Sequence, residues 1–135
     1  MARIVFCEDD PTIRKLIRLT LRGTAHDVSI ADDGDAGLAL IERERPDLVF
    51  TDVSMPGLDG LQLADALRAR PHLAAIPVVV ISAAVQREQL EEAQRRRVAG
   101  YLTKPFSPSA LRALIDATIG AGEPGRRRAD TDERE

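Results

Sequence analysis

Short unbroken apolar runs alternate with stretches of helical spacing along this chain. The first run, Ile4-Val5-Phe6-Cys7, has no polar alternation, which fits a strand covered on both faces, as parallel strands are. It ends on Glu8-Asp9-Asp10 and is followed by Pro11, so Asp10 is read as a helix N-cap with proline at the first helical position. Ile13, Leu16, Ile17, Thr20 and Leu21 then recur at helical spacing, with Arg14, Lys15 and Arg18 outside, until Gly23 stops the helix. Val28 and Ile30 alternate in a second strand from His26 to Ala31, and Asp32-Asp33-Gly34 reads as a turn. A second helix begins at Ala36, passes Ile41 and runs out in Glu42 to Arg45, before Pro46.

Leu48-Val49-Phe50 climbs to Asp52 as a third strand and breaks at Pro56-Gly57. Leu61, Ala64 and Leu67 mark a helix capped by Asp59. Pro77 to Ile81 is a fourth strand, with proline at its tolerated first position, and it ends on Ser82. Gln86 to Arg97 is predicted helical with only Leu90 and Ala93 as core candidates. Tyr101-Leu102 is a short fifth strand leading to Thr103-Lys104-Pro105. Ser107-Pro108 repeats the cap-then-proline device, and Leu111, Leu114, Ile115, Thr118 and Ile119 form the clearest apolar stripe of the chain.

Five strands alternating with five helices demand βαβ units, a parallel sheet and right-handed crossovers, an α/β fold. Apolar periodicity ends near Gly120, so residues 1–120 are expected to form one domain and 121–135, including Arg126 to Arg128, a disordered charged tail. At 44% hydrophobic and 30% charged residues, the composition of this 135-residue chain suits a single globular domain. The formal net charge of -3 leaves no global basic field for nucleic acid or anionic membrane. Cys7 is the only cysteine, which excludes an internal disulfide. With no long apolar segment and no signal peptide, a cytoplasmic location is expected.

In open α/β sheets, ligands bind outside the carboxyl ends of the strands. The residues expected there are Glu8 and Asp9 after the first strand, Asp52 on the third, Ser82 on the fourth and Lys104 after the fifth. Three carboxylates in one pocket cannot all stay ionised unless a cation joins them, and a hard oxygen-seeking ion, Mg²⁺, is the natural choice. No His or Cys is placed to favour zinc. His26 and His72 fall on a predicted strand and in a predicted loop.

Four motifs together resemble the receiver domain of two-component response regulators. They are Val-Phe-Cys-Glu-Asp-Asp, Thr-Asp-Val-Ser-Met-Pro-Gly-Leu-Asp-Gly, Val-Val-Val-Ile-Ser-Ala and Tyr-Leu-Thr-Lys-Pro-Phe, in order, at the ends of four strands. The resemblance covers about residues 3–120. It implies a flavodoxin-like, doubly wound (βα)5 fold with strand order 2-1-3-4-5 and helices on both faces. It implies that Asp52 accepts a phosphoryl group, that Glu8, Asp9, Asp52 and the backbone carbonyl of Ser54 hold Mg²⁺, and that Lys104 pairs with the phosphoryl oxygens. Ser82 and Tyr101 take the positions of the switch hydroxyl and switch aromatic, and the bond before Pro105 is expected to be cis. The implied partners are a histidine kinase or phosphotransfer protein as donor, and a downstream protein docked on the face of helix 4, strand 5 and helix 5. A phosphorylation-dependent homodimer is a further assembly it implies; direct nucleic-acid or membrane binding is not. Ser54 and Ala84 are small residues at positions linked to phosphate lifetime, which points to an acyl phosphate of ordinary persistence.

One departure concerns Arg97, which takes the place of a family glycine that ends the fourth helix in a left-handed conformation, so a different helix end is expected here. With its thin apolar face, the fourth helix is expected to be the least anchored element. The three arginines there, Arg95 to Arg97, suggest an acidic partner surface. The chain is expected to act as a stand-alone regulator rather than as an excised receiver, and not as an enzyme beyond its own phosphorylation and dephosphorylation. A receiver-like interaction module that takes no phosphate is the alternative, but no acid or lysine of the constellation is missing. An aspartate-nucleophile phosphatase would want a second acid where Ser54 stands. A nucleotide-binding protein would want a Gly-rich loop where Glu8-Asp9-Asp10 stands.

Overall fold

A computed structural model describes residues 2–83 and 87–121; Ala84, Gln86 and the tail beyond Ala121, with Arg126 to Arg128, lie outside the described residues. The chain runs β1 (Arg3–Cys7), α1 (Pro11–Leu21), β2 (Asp27–Ala31), α2 (Gly34–Glu44), β3 (Leu48–Asp52), α3 (Gly60–Arg68), β4 (Val78–Ala83), α4 (Arg87–Arg95), β5 (Gly100–Lys104) and α5 (Pro108–Ala121). The strands form one parallel sheet in the order β2-β1-β3-β4-β5, the flavodoxin-like arrangement expected from the sequence.

The unbroken apolar runs have a direct cause. Successive strand residues point to opposite faces, and both faces of this sheet are covered. Ile4, Phe6 and Phe50 face a core with Ile17 and Leu21 of α1 and Leu111 and Ile115 of α5. Val5, Cys7 and Val49 face the other core, with Ile41 of α2 and Leu63 and Leu67 of α3. Phe6 and Phe50 stack across β1 and β3 with ring centroids 4.8 Å apart.

Most helix starts are as the sequence predicts. Asp10 accepts the Thr12 N–H at 2.9 Å, and Asp59 and Gln62 form a reciprocal capping box. The Ser107 hydroxyl oxygen accepts the Ala110 N–H at 3.1 Å. The Asp32-Asp33-Gly34 stretch differs: Asp33 is the N-cap of α2, accepting the Ala36 N–H at 2.7 Å, so the helix begins at Gly34 rather than Ala36. β5 is longer than Tyr101-Leu102 because its register with β4 continues from Gly100 to Lys104.

Arg97 corrects the expectation of a different helix end. It adopts the left-handed conformation itself, φ 56°, doing with an L-residue what glycine does without strain. Replacing Arg97 with glycine is therefore expected to stabilise the domain by up to about 1 kcal/mol, read as a higher urea midpoint at unchanged slope.

α4 has the thin apolar face expected of it. Among its described side chains only Ala93 is buried, against Val53 and Val80. Polar clasps supplement this contact. Arg96 donates through Nε to Asp65 of α3 at 2.9 Å and through Nη1 to Glu92 at 2.7 Å. From α3, Arg68 donates to the carbonyl of Arg97 at 3.3 Å.

Candidate functional site

The parallel register brings the carboxyl ends of β1, β3 and β5 to one edge. Glu8 and Asp9 follow Cys7, the last β1 residue, whose partner Thr51 immediately precedes Asp52. Lys104 ends β5 opposite Ala83, next to the Ser82–Thr103 pair. One oxygen from each of Glu8, Asp9 and Asp52 lies within 4.8 Å of the others. Lys104 Nζ lies 2.7 Å from Asp52 Oδ2 and 3.3 Å from Glu8 Oε2, so one ammonium joins two of the three acids.

The surroundings are protein on one side and open on the other. Glu8 is 0% exposed and Asp52 6%, whereas Asp9 is exposed. Backbone N–H groups hold the two buried carboxylates: Asp10 donates to Glu8 Oε2 at 3.1 Å and Ser54 to Asp52 Oδ1 at 3.3 Å. Glu8 Oε1 lies 3.2 Å from Lys104 Nζ, yet its geometry makes no hydrogen bond. The Ser82 hydroxyl is 1% exposed and has no hydrogen-bond partner among the described residues. A buried unpaired hydroxyl and an unpaired carboxylate oxygen beside an acid cluster are groups that an added cation and an added anion would satisfy.

Burial, reinforced by the charge of Asp52 and opposed by the Asp10 N–H and by Lys104, pushes the Glu8 carboxyl up to about 7. Burial alone would lower the Lys104 ammonium, but its hydrogen bond to Asp52 and the charges of Asp52 and Glu8 outweigh that and hold it above its ordinary value. Hard carboxylate oxygens in a group with excess negative charge fit a Mg²⁺ ion by donor chemistry and by charge.

The raised Glu8 carboxyl carries a stability prediction with a definite sign. Its folded value near 7 lies above the ordinary 4.5, so the folded state binds the proton more tightly than the unfolded state. Stability in a chelator is expected to rise as pH falls from 7 towards 4.5. Above 7 the ionised Glu8 is expected to cost on the order of 3 kcal/mol. Glu8→Gln in the presence of EDTA should therefore melt higher than wild type at pH 8 and lose this pH dependence.

The other predicted site residues divide. Ser54 sits beside Asp52 through its N–H bond. Tyr101 lies on β5 at 36% exposure, paired in register with Val80, and is not drawn into the acid cluster. The Lys104–Pro105 bond is cis. Cys7 behaves as a core residue: burial, with a minor contribution from Asp33, outweighs its Thr51 hydrogen bond and pushes its thiol up to about 12.

Two contributors escaped the sequence reading. Arg14, an outward-facing base of α1 by its helical spacing, donates from Nη1 to the carbonyls of Asp9 at 3.2 Å and Glu8 at 3.5 Å, fixing the backbone between the two acids. Gly60 lets the first turn of α3 lie against the backbone of Asp52, where any Cβ would meet the Asp52 carbonyl. The spacing of Arg14, one turn after Asp10, was the available signal for the first.

Comparison with known proteins places these features. The family model of the response regulator receiver domain matches residues 4–116. Chemotaxis protein CheY-3 of Vibrio cholerae is 35% identical over 115 residues, covering 84% of this chain and 88% of that protein. PilH of Pseudomonas aeruginosa is 34% identical over 119 residues, covering 88% and 98%. Among solved structures, the chemotaxis response regulator CheY4 of Vibrio cholerae superposes with a TM-score of 0.82 at 27% identity, covering 88% of this chain and 99% of that one. The receiver domain of sensor histidine kinase PA1611 from Pseudomonas aeruginosa, with a magnesium ion in its active-site cleft, gives 0.80 at 27% identity, covering 88% and 98%.

Proposed function

The chain belongs to the response regulator receiver domain family, and from that premise we propose that it is a phosphorylation-controlled switch whose acceptor is Asp52. The observation that carries the reading is the contact of Lys104 with both Asp52 and Glu8, with Asp9 in the same cluster. A carboxylate oxygen of Asp52 attacks the phosphorus of a phosphohistidine on a histidine kinase or phosphotransfer protein. The O–P bond forms as the P–N bond breaks, and the product is an acyl phosphate.

Such transfers need alignment and charge neutralisation more than covalent help. Lys104 supplies one compact positive charge beside the acceptor oxygen. Glu8, Asp9, Asp52 and the backbone carbonyl of Ser54 would hold Mg²⁺, which supplies the remaining neutralisation when bound. The buried Ser82 hydroxyl, without a partner among the described residues, is available to donate to a phosphoryl oxygen. That bond draws Ser82 towards the acceptor, Tyr101 moves inward behind it, and the α4–β5–α5 face changes its affinity for a downstream protein or a second copy. Phosphorylation thus biases a two-state equilibrium rather than turning over an outside substrate, so this is a cytoplasmic signalling module and not an enzyme in the ordinary sense.

Incubation with acetyl phosphate followed by intact-mass measurement tests the reading. A single phosphoryl adduct is expected with Mg²⁺ and none with EDTA. Absence of an adduct under both conditions, with binding of beryllofluoride also absent, would leave only an interaction module that takes no phosphate.

A further inference from the structure

We propose that the β2 edge of the sheet receives an extended acidic segment of a partner protein. β2 is an outermost strand and pairs with β1 alone among the described strands. Its sequence, Asp27-Val28-Ser29-Ile30-Ala31, contains neither the proline nor the lysine that commonly blunts such edges. Beside it runs an open groove of about 500 Å³, flanked by Arg14 and Arg18 of α1 and Arg43 of α2, with Ile30 and Leu40 in its lining and Asp32 as its single acid.

The charge of this groove is set by placement, not by composition, because the chain as a whole carries a net charge of -3. Elsewhere, arginines meet carboxylates closely: Arg70 with Glu42 at 3.1 Å and Arg96 with Asp65 at 2.9 Å. In the groove, among the described residues, Arg14 donates only to backbone carbonyls, and the carboxylate paired with Arg43 is that of its neighbour Glu44, 3.8 Å away. Three guanidinium groups on the two flanks outnumber the acids beside them, Asp32 in the lining and Glu44 held by Arg43 and the Ser29 hydroxyl, and the surplus suits carboxylates brought from outside.

The geometry selects the conformation of the occupant. A strand can approach an edge to within about 5 Å and take up its free backbone groups, which a helix about 10 Å across cannot do. In a strand added here, successive side chains would point alternately towards α1 and α2. Paired acids would then reach Arg14 or Arg18 on one side and Arg43 on the other, while apolar residues met Ile30 and Leu40. Those apolar residues and the amide edge favour a polypeptide over a nucleic acid or a lipid surface, which offer no backbone N–H and C=O to pair. β5 forms the opposite edge of the sheet, so this surface is separate from the one proposed above for downstream signalling.

A fluorescein-labelled peptide of repeated Glu-Glu-Val, titrated with the full chain at low ionic strength and read by anisotropy, tests the assignment. Binding is expected to weaken at least about tenfold in the Arg18→Glu/Arg43→Glu variant and to persist in Arg112→Glu, an exposed position on α5. A peptide methylated at alternate backbone nitrogens, with unchanged charge, is expected to bind wild type more weakly by a similar factor. No binding of the parent peptide, equal binding by the groove variant, or equal binding of the methylated peptide would overturn the proposal. Tighter binding of oligothymidylate or of anionic phosphatidylglycerol vesicles than of the peptide would overturn the choice of a protein occupant.

Discussion

Asp52→Asn is expected to take up no phosphoryl group from acetyl phosphate in the presence of Mg²⁺, a fall of about a thousandfold or more in rate, or upwards of about 4 kcal/mol in barrier. The amide keeps the shape of the carboxylate and can still accept the Ser54 N–H, so the loop after β3 has little reason to move. What it lacks is an anionic oxygen able to form an acyl phosphate. It also removes one acid from a cluster in which the Asp52 charge helps to raise the Glu8 carboxyl. The variant should therefore fold, and its thermal unfolding in EDTA should resemble that of wild type far more closely than its chemistry does. Retention of the adduct in intact-mass spectra of Asp52→Asn would move the acceptor to another residue.

Gly60→Ala is expected to destabilise the domain by about 2–4 kcal/mol, a large part of the margin of a domain this size. The added methyl would overlap the backbone carbonyl of Asp52 and crowd the Cα of Val53, groups that cannot rotate aside. The same approach carries the Gly60 N–H to Val53 carbonyl bond of 2.8 Å, so relief must come from shifting α3 or the acceptor strand itself. Phosphorylation of the folded fraction should slow as well, because in-line attack tolerates little displacement of the nucleophile. Gly23→Ala is the natural comparison. Gly23 sits at φ 81° with nothing within 4 Å of a Cβ, so only backbone strain of about 1 kcal/mol is expected there. Urea melts of the two variants separate steric overlap from conformational strain; equal losses would refute the overlap.

The sheet and the identity of the acid cluster could be read from the chain because both are periodic or local signals. A run such as Ile4-Val5-Phe6-Cys7 must be covered on both faces, and β1, β2, β3 and β5 are each followed within a few residues by polar residues and a Gly or Pro turn former. The four clustered side chains Glu8, Asp9, Asp52 and Lys104 sit at such ends, so a parallel register was enough to gather them. The roles of Arg14 and Gly60 depend on approaches between backbones distant in sequence, and no spacing rule encodes these. Asp33 reads as a turn residue in the sequence because Asp-Gly favours turns as readily as it opens helices. At Arg97 the left-handed residue was expected to vanish with the glycine. The tertiary frame instead forces an arginine into that conformation, with its carbonyl held by Arg68.

The arginine clasps between α3 and α4 make that corner of the molecule unusual in its response to solvent. Among its described side chains α4 buries only Ala93, so swinging away would uncover chiefly that methyl and the Val53 and Val80 beneath it. Its detachment would carry little heat capacity and little dependence on urea. Counter-ions, which compete for Arg96 and Asp65, are the agents able to loosen it.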